Sequence, residues 1–175
     1  MTDCAVGGEI RAIQPGDNAA IAAIIRQVLT EFGANRPGFA WADPELETLA
    51  AAYQGARSVY YVAVVAEQVV GGVGIAPFPC QYPNLCELQK MYLLPEARGR
   101  GLGRALLNQA LAAVQTFGYD GCYLETFGPM RTAIALYERA GFQALPTPLG
   151  ESDHHACDRY YLRWFTPTST PTVSQ

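Results

Sequence analysis

The chain has 175 residues, a length that suits one domain with its own hydrophobic core. Half of its residues are hydrophobic and 16% are charged, which excludes a disordered or fibrous protein. Its net charge of −4 argues against a nucleic-acid binder and against a protein that binds anionic membranes. No apolar run approaches the roughly 20 residues that span a bilayer, and the start lacks a secretory pattern, so we expect a cytoplasmic protein.

Hydrophobic periodicity and turn residues predict alternating strands and helices along the chain. In order, these are a strand over 9–13, a helix over 15–32, a helix beginning at 44, a hairpin of strands 58–65 and 69–76, a strand over 86–93, a helix over 101–117, a strand over 121–127, a helix over 130–140 and a strand over 160–164. This order indicates an α+β fold, an α/β sandwich around one central sheet. We expect residues 1–165 to form a single domain and residues 166–175, rich in Thr, Pro and Ser, to be a disordered tail.

The most informative stretch joins the predicted strand 86–93 to the predicted helix 101–117. Three glycines alternate there with arginines, and Arg98, Arg100 and Arg104 fall within seven residues. Glycines let backbone amides approach a ligand, and a helix N-terminus attracts anions. The spacing matches neither a P-loop nor a dinucleotide fingerprint. The stretch is therefore either a phosphate site of another kind or a glycine turn with solvated arginines.

Two signatures resemble those of the GNAT family of N-acetyltransferases. Arg98-x-x-Gly101-x-Gly103 follows a strand that ends in Leu-Pro, as in the family's acetyl-CoA motif. Ala133-x-x-Leu136-Tyr137, followed by Gly141-Phe142, resembles the helix and turn after the family's fifth strand. The resemblance covers residues 9–164. It implies the GNAT fold, a mixed sheet of about six or seven strands flanked by helices, in which the parallel strands 86–93 and 121–127 are splayed.

The resemblance also implies that acetyl-CoA, the co-substrate, lies between these two strands. Amides of residues 100–104 would hold its pyrophosphate, and the backbone of Met91 and Leu93 would pair with the pantetheine arm and the acetyl carbonyl. The full set of implied cofactor-binding residues is Met91, Tyr92, Leu93, Arg98, Gly99, Arg100, Gly101, Leu102, Gly103 and Arg104. Met130 stands where relatives often carry an asparagine, so we expect one polar contact to the CoA arm to be missing.

Three residues are candidates for proton transfer. Tyr137 matches the tyrosine that protonates the leaving thiolate in many family members, although it could instead be a packing residue of an amphipathic helix. Glu87 is the first candidate for the general base, Glu125 is the second, and a reaction without a dedicated base is the third possibility. An ion pair with Lys90 or an arginine would be the structural explanation for either glutamate.

The loop 149–158 is expected to shape the acceptor side, with His154 and His155 as candidate substrate-binding residues, or else to be a solvated connection. We expect no metal, because His154, His155 and Cys157 have no further histidine to complete a zinc site. The expected partner is a small-molecule or peptide amine, and the expected assembly is a monomer or a homodimer. The leading hypothesis is an N-acetyltransferase in which the amine attacks acetyl-CoA directly. The alternative is an acyl-CoA-binding sensor of the same fold without turnover.

Overall fold

The structure is a computed structural model that describes residues 7–165, so the predicted tail lies outside the described residues. Its strands are β1 Glu9–Ala12, β2 Val59–Val65, β3 Gln68–Pro77, β4 Leu85–Leu93, β5 Gly121–Thr126, β6 Gln143–Leu145 and β7 Arg159–Trp164. Its α-helices are α1 Asn18–Glu31, α2 Leu49–Ala52, α3 Leu102–Thr116 and α4 Arg131–Arg139. Single 3₁₀ turns lie at Pro15–Asp17, Ala40–Ala42, Pro44–Thr48 and Pro95–Ala97.

The strands form one seven-stranded sheet in the order β1-β2-β3-β4-β5-β7-β6. β4 and β5 pair in parallel, and the other neighbouring strands pair antiparallel. The predicted α+β sandwich with one parallel pair is therefore confirmed. The edge strand β6 was not predicted from the sequence, because three residues are too few to show an alternating pattern.

Helices cover both faces of the sheet. Successive residues of a strand point to opposite faces, and in β2 Val62 packs in the cluster of α1 while Ala63 packs in the cluster of α3. The apolar face predicted for α1 is buried, and α3 buries seven residues that include Leu106 and Leu107. No helix in residues 7–165 has the length and apolarity needed to cross a membrane.

β4 and β5 run side by side over only three residue pairs, which are Leu85 with Gly121, Cys86 with Cys122 and Glu87 with Tyr123. Beyond Glu87 the two strands separate. β4 also carries a bulge, since Gly74 pairs with Gln89 and Gly72 with Tyr92, so that β4 has one residue more than β3. Lys90 lies in this bulge with a φ of 50°, and its carbonyl accepts a 2.8 Å hydrogen bond from the Tyr60 hydroxyl.

Candidate active site

The divergence of β4 from β5 opens two clefts that meet at a narrow junction. The first, the arginine cleft, has a volume of about 460 Å³ and lies between the end of β4, the N-terminus of α3 and α4. The second, the acidic cleft, has a volume of about 430 Å³ and lies on the side of residues 37–45 and 151–154. The junction, of about 40 Å³, shares Met91 and Tyr92 with the arginine cleft and Glu87 and His154 with the acidic cleft. A ligand in each cleft would therefore meet the other at the junction.

Eight of the ten predicted cofactor residues line the arginine cleft. They are Met91, Tyr92, Leu93, Arg98, Gly99, Gly101, Gly103 and Arg104. The other two do not line it: the Leu102 side chain is buried in the core, and Arg100 is exposed.

The glycine loop turns the chain sharply into α3. Gly99 has a φ of 72° and Gly101 a φ of 82°, a backbone conformation that glycine adopts without a steric penalty. The first backbone amides of α3, at Leu102 to Arg104, lack acceptors within the helix, because the first intrahelical bond runs from the Ala105 amide to the Gly101 carbonyl. These amides and the helix dipole create a site that favours an anion.

The arginines around this loop have different roles. Arg98 makes two hydrogen bonds to Glu31, of 2.7 and 2.9 Å, and donates from Nε to the Leu93 carbonyl at 3.1 Å. It therefore ties α1 to the end of β4, and its charge is already paired. Arg104, Arg131 and Arg139 also line the cleft, and within residues 7–165 their guanidinium groups make no ion pair or hydrogen bond. No carboxylate of residues 7–165 lines this cleft, so the net charge of its lining is positive.

Tyr137 reaches the junction from α4 and is 5% exposed. Burial raises the pKa of its hydroxyl well above the ordinary value, so the phenol keeps its proton at neutral pH. The Tyr137 hydroxyl has no hydrogen-bond partner among residues 7–165. Every fully buried side-chain polar atom of these residues has a partner, so this hydroxyl is not fully buried and is open to the cavity. Tyr137 thus places an available proton at the junction.

Glu87 is the last residue of β4 that pairs with β5, and it lines both the junction and the acidic cleft. It is 7% exposed, and its Oε2 accepts a 2.7 Å hydrogen bond from Gln89 Nε2. Burial raises the pKa of Glu87 and the nearby Glu125 carboxylate raises it further, although the Gln89 hydrogen bond acts in the opposite direction. Within residues 7–165 Glu87 has no ion-pair partner, because Lys90 pairs with Asp43 and Glu45 instead.

Glu125, on β5, lines the junction together with Glu87. Both of its carboxylate oxygens are engaged, one by the Tyr123 hydroxyl at 2.8 Å and the other by the Ser152 hydroxyl at 2.6 Å. The carboxylate of Glu125 therefore holds the loop 149–158 against β5.

Five carboxylate side chains line the acidic cleft. They belong to Asp43, Glu45, Glu87, Glu151 and Asp153. The Lys90 ammonium and the His154 imidazole are the basic groups that line the cleft within the described chain, and both contact Asp43. His155 is exposed and packs beside Gly38 rather than lining either cleft. No cluster of three or more potential metal ligands occurs in residues 7–165.

Sequence reasoning did not single out three residues of these clefts, which are Gln89, Arg131 and Arg139. The two arginines flank the signature Ala133 to Tyr137, and their position in α4 was the only available signal. Gln89 gave no signal, because the type of a residue within a strand does not show its partners, which here are the Glu87 carboxylate and the Tyr53 hydroxyl.

Comparisons with known proteins agree with this geometry. The family model for the acetyltransferase (GNAT) family matches residues 25–142. The chain is 41% identical over 155 residues to the uncharacterized N-acetyltransferase YjgM of Escherichia coli K12, a match that covers 88% of this chain and 93% of that protein.

Two solved structures show the same fold at low sequence identity. A GNAT acetyltransferase of Staphylococcus aureus Mu50 has a TM-score of 0.76 at 21% identity, with 90% of this chain and 98% of that chain covered. The YncA protein of Salmonella typhimurium, solved with acetyl-CoA, has a TM-score of 0.72 at 16% identity, with 96% and 99% covered. The chain therefore belongs to the GNAT acetyltransferase family, as its two sequence signatures predicted.

Proposed function

We propose that the protein transfers the acetyl group of acetyl-CoA to a primary amine of a small molecule or a peptide, by direct attack of the amine in a ternary complex. The observation that carries this proposal is the junction, where a protonated tyrosine and a buried glutamate line the point at which the positive and the acidic cleft meet. Acetyl-CoA would occupy the positive side, and the amine would enter from the acidic side.

The arginine cleft suits the chemistry of CoA. Free amides at Leu102 to Arg104 can donate to the pyrophosphate, and the uncompensated charges of Arg104, Arg131 and Arg139 can attract its phosphates. β4 is not paired with β5 beyond Glu87, which leaves room for the pantetheine arm beside Met91 and Leu93. A backbone donor at the acetyl oxygen would stabilise the negative charge that develops during attack.

The acidic cleft suits an amine. An amine arrives as a cation at neutral pH, and the carboxylates of this cleft attract it. It must lose a proton before its lone pair can attack the thioester carbonyl.

Glu87 is the better general base of the two glutamates. It lines the acidic cleft as well as the junction, whereas Glu125 lines the junction alone and both of its oxygens accept hydrogen bonds. The raised pKa of Glu87 makes its carboxylate a stronger base than an exposed glutamate. It would take the proton of the ammonium, directly or through a water.

Tyr137 is the general acid of this proposal. As the new C–N bond forms and the C–S bond breaks, the phenol would donate its proton to the departing thiolate. Burial disfavours the resulting phenolate, so Tyr137 would regain a proton from the newly bonded nitrogen, which must lose its second proton to become a neutral amide. The products are the acetylated amine, CoA with a free thiol, and the proton held by Glu87.

The experiment is CoA thiol release from acetyl-CoA with a mixed panel of primary amines, compared with the double variant Glu87→Gln with Tyr137→Phe. Amine-dependent release by the wild type and its loss in the variant would support the enzyme. Tight acetyl-CoA binding without release for any amine or peptide would instead support the sensor alternative.

A further inference from the structure

We propose that Asp43 is a positioning residue of the transfer reaction: its carboxylate joins Lys90 and His154 and so fixes the acceptor side of the junction. This inference rests on the proposed function and concerns a residue that does not itself line the junction. It starts from a carboxylate that is 11% exposed at the side chain and contacts both the Lys90 ammonium and the His154 imidazole.

The contacts of Asp43 link three separate parts of the chain. Its Oδ2 lies 2.7 Å from Lys90 Nζ in the β4 bulge and 2.9 Å from His154 Nε2 in the loop 149–158. Asp43 itself ends the connection between α1 and the Pro44–Thr48 turn. A backbone hydrogen bond connects the same two loops, because the Ala156 amide donates to the Gly38 carbonyl at 3.2 Å. One carboxylate therefore holds two loops and a bulged strand together.

Both partners of Asp43 lie where the reaction is proposed to occur. Lys90 and His154 line the junction and the acidic cleft, together with Glu87. The Lys90 ammonium is only 3% exposed, so without Asp43 it would keep only Glu45 as a counter-ion. The His154 side chain is 19% exposed, and its position over the cleft depends on its hydrogen bond to Asp43.

Asp43 affects the pKa of Glu87 through the charge of His154. Burial acts to lower the pKa of His154, but the hydrogen bond and the charge of Asp43 outweigh it, so the pKa of His154 is raised. A protonated His154 in turn favours the ionised form of Glu87. The charged groups near His154 are Asp43, Glu87, Lys90, Glu45 and Glu125, with Glu151 and Asp153 on its own loop. Asp43 thus acts on the proposed base through His154.

The test compares Asp43→Asn with the matched control Asp153→Asn, which removes a charge from the rim of the same cleft without breaking an ion pair. With the best amine of the panel, Asp43→Asn should raise the acceptor KM about tenfold and move the acid limb of the pH–rate profile. Its acetyl-CoA Kd should stay within about twofold of the wild-type value. Asp153→Asn should change neither the profile nor the acetyl-CoA Kd, and should change the acceptor KM much less.

Two further measurements test whether Asp43 acts through His154. The chain has only two histidines, so NMR of His155→Gln follows the titration of His154 alone. Adding Asp43→Asn to this variant should lower the pH at the midpoint of the His154 titration. This measurement needs no turnover. His154→Gln, which leaves the Asp43–Lys90 pair in place, should raise the acceptor KM as Asp43→Asn does.

If the wild type acetylates an amine but Asp43→Asn and His154→Gln have unchanged acceptor kinetics, the role of Asp43 is overturned and the proposed function is not. An unmoved His154 midpoint would do the same. A wild type that releases no CoA with any acceptor would overturn the proposed function, and this role with it.

Discussion

Glu87 and Tyr123 form the last residue pair between β4 and β5, and the two strands diverge from that pair toward their carboxyl ends. The divergence removes a neighbour from one edge of β4, where the backbone can pair with a ligand instead of a strand. It also leaves the Glu87 carboxylate at the apex of the opening, where it lines the junction and the acidic cleft. The base of the proposed mechanism thus lies where the sheet stops being continuous.

Replacement of Gly103 by valine should weaken acetyl-CoA binding about tenfold, or about 1.4 kcal/mol. Gly103 lines the arginine cleft in the first turn of α3, where a side chain would project toward Leu93 and Leu136. Its backbone angle is helical, so the protein should still fold. Calorimetric titration with acetyl-CoA measures the effect, and Ala112→Val, on the exposed face of the same helix, controls for the cost of a β-branched residue. Equal affinity in the two variants would contradict this position for the cofactor.

Removal of the guanidinium of Arg104 should weaken CoA binding through loss of charge alone. Arg104→Gln should raise the Kd about tenfold at low salt and reduce the dependence of that Kd on salt concentration. The matched control is Arg159→Gln, because Arg159 pairs with Asp158 and does not line the cleft. A Kd that responds equally to both substitutions would mean that the net charge of the protein, and not this cleft, attracts the ligand.

Tyr137→Phe should lower kcat about 10²-fold while the affinity for acetyl-CoA stays nearly constant. Phenylalanine keeps the ring contact with Phe142, whose centroid lies 6.0 Å away, and removes only the proton donor. The thermal midpoint should therefore change little, since the lost hydroxyl has no partner among the described residues. A variant that retains wild-type kcat with chemistry rate-limiting would show that Tyr137 acts only in packing.

Glu87→Gln should have opposite effects on activity and stability. We expect kcat to fall by about 10²-fold, because glutamine cannot accept the proton of the ammonium. We expect the thermal midpoint at pH 7 to rise, because burial raises the pKa of Glu87 and its ionised form therefore costs stability.

The change in thermal midpoint caused by Glu87→Gln should depend on pH. The folded state binds the Glu87 proton more tightly than the unfolded state does, so its penalty is absent below the unfolded pKa and appears as pH rises through the raised folded pKa. The gain in midpoint from Glu87→Gln should therefore shrink toward acidic pH. Glu125→Gln is the control. A Glu87→Gln protein that is less stable than the wild type at pH 7 would contradict the finding that Glu87 has no counter-ion within residues 7–165.

The sequence alone determined the family, the order of the main elements and the loop that begins α3. These features are local: glycines that permit positive φ at residues 99 and 101, arginines beside them, and apolar residues at helical spacing in α1 and α3. Each pattern lies within one turn or one element, so it can be read without knowledge of the rest of the chain. The short strand β6 was missed for the converse reason, since its identity depends on pairing with β7.

Only the tertiary structure decided which charges are available. Arg98 and Arg104 belong to the same motif, yet Arg98 is paired with Glu31 of α1, while Arg104 has no such partner in the described chain. Lys90 is close to Glu87 in sequence, but it pairs with Asp43, which also contacts His154 from a loop 111 residues away. The partner of a charged side chain depends on which groups share its buried volume, and that is set by the packing of distant segments rather than by spacing along the chain.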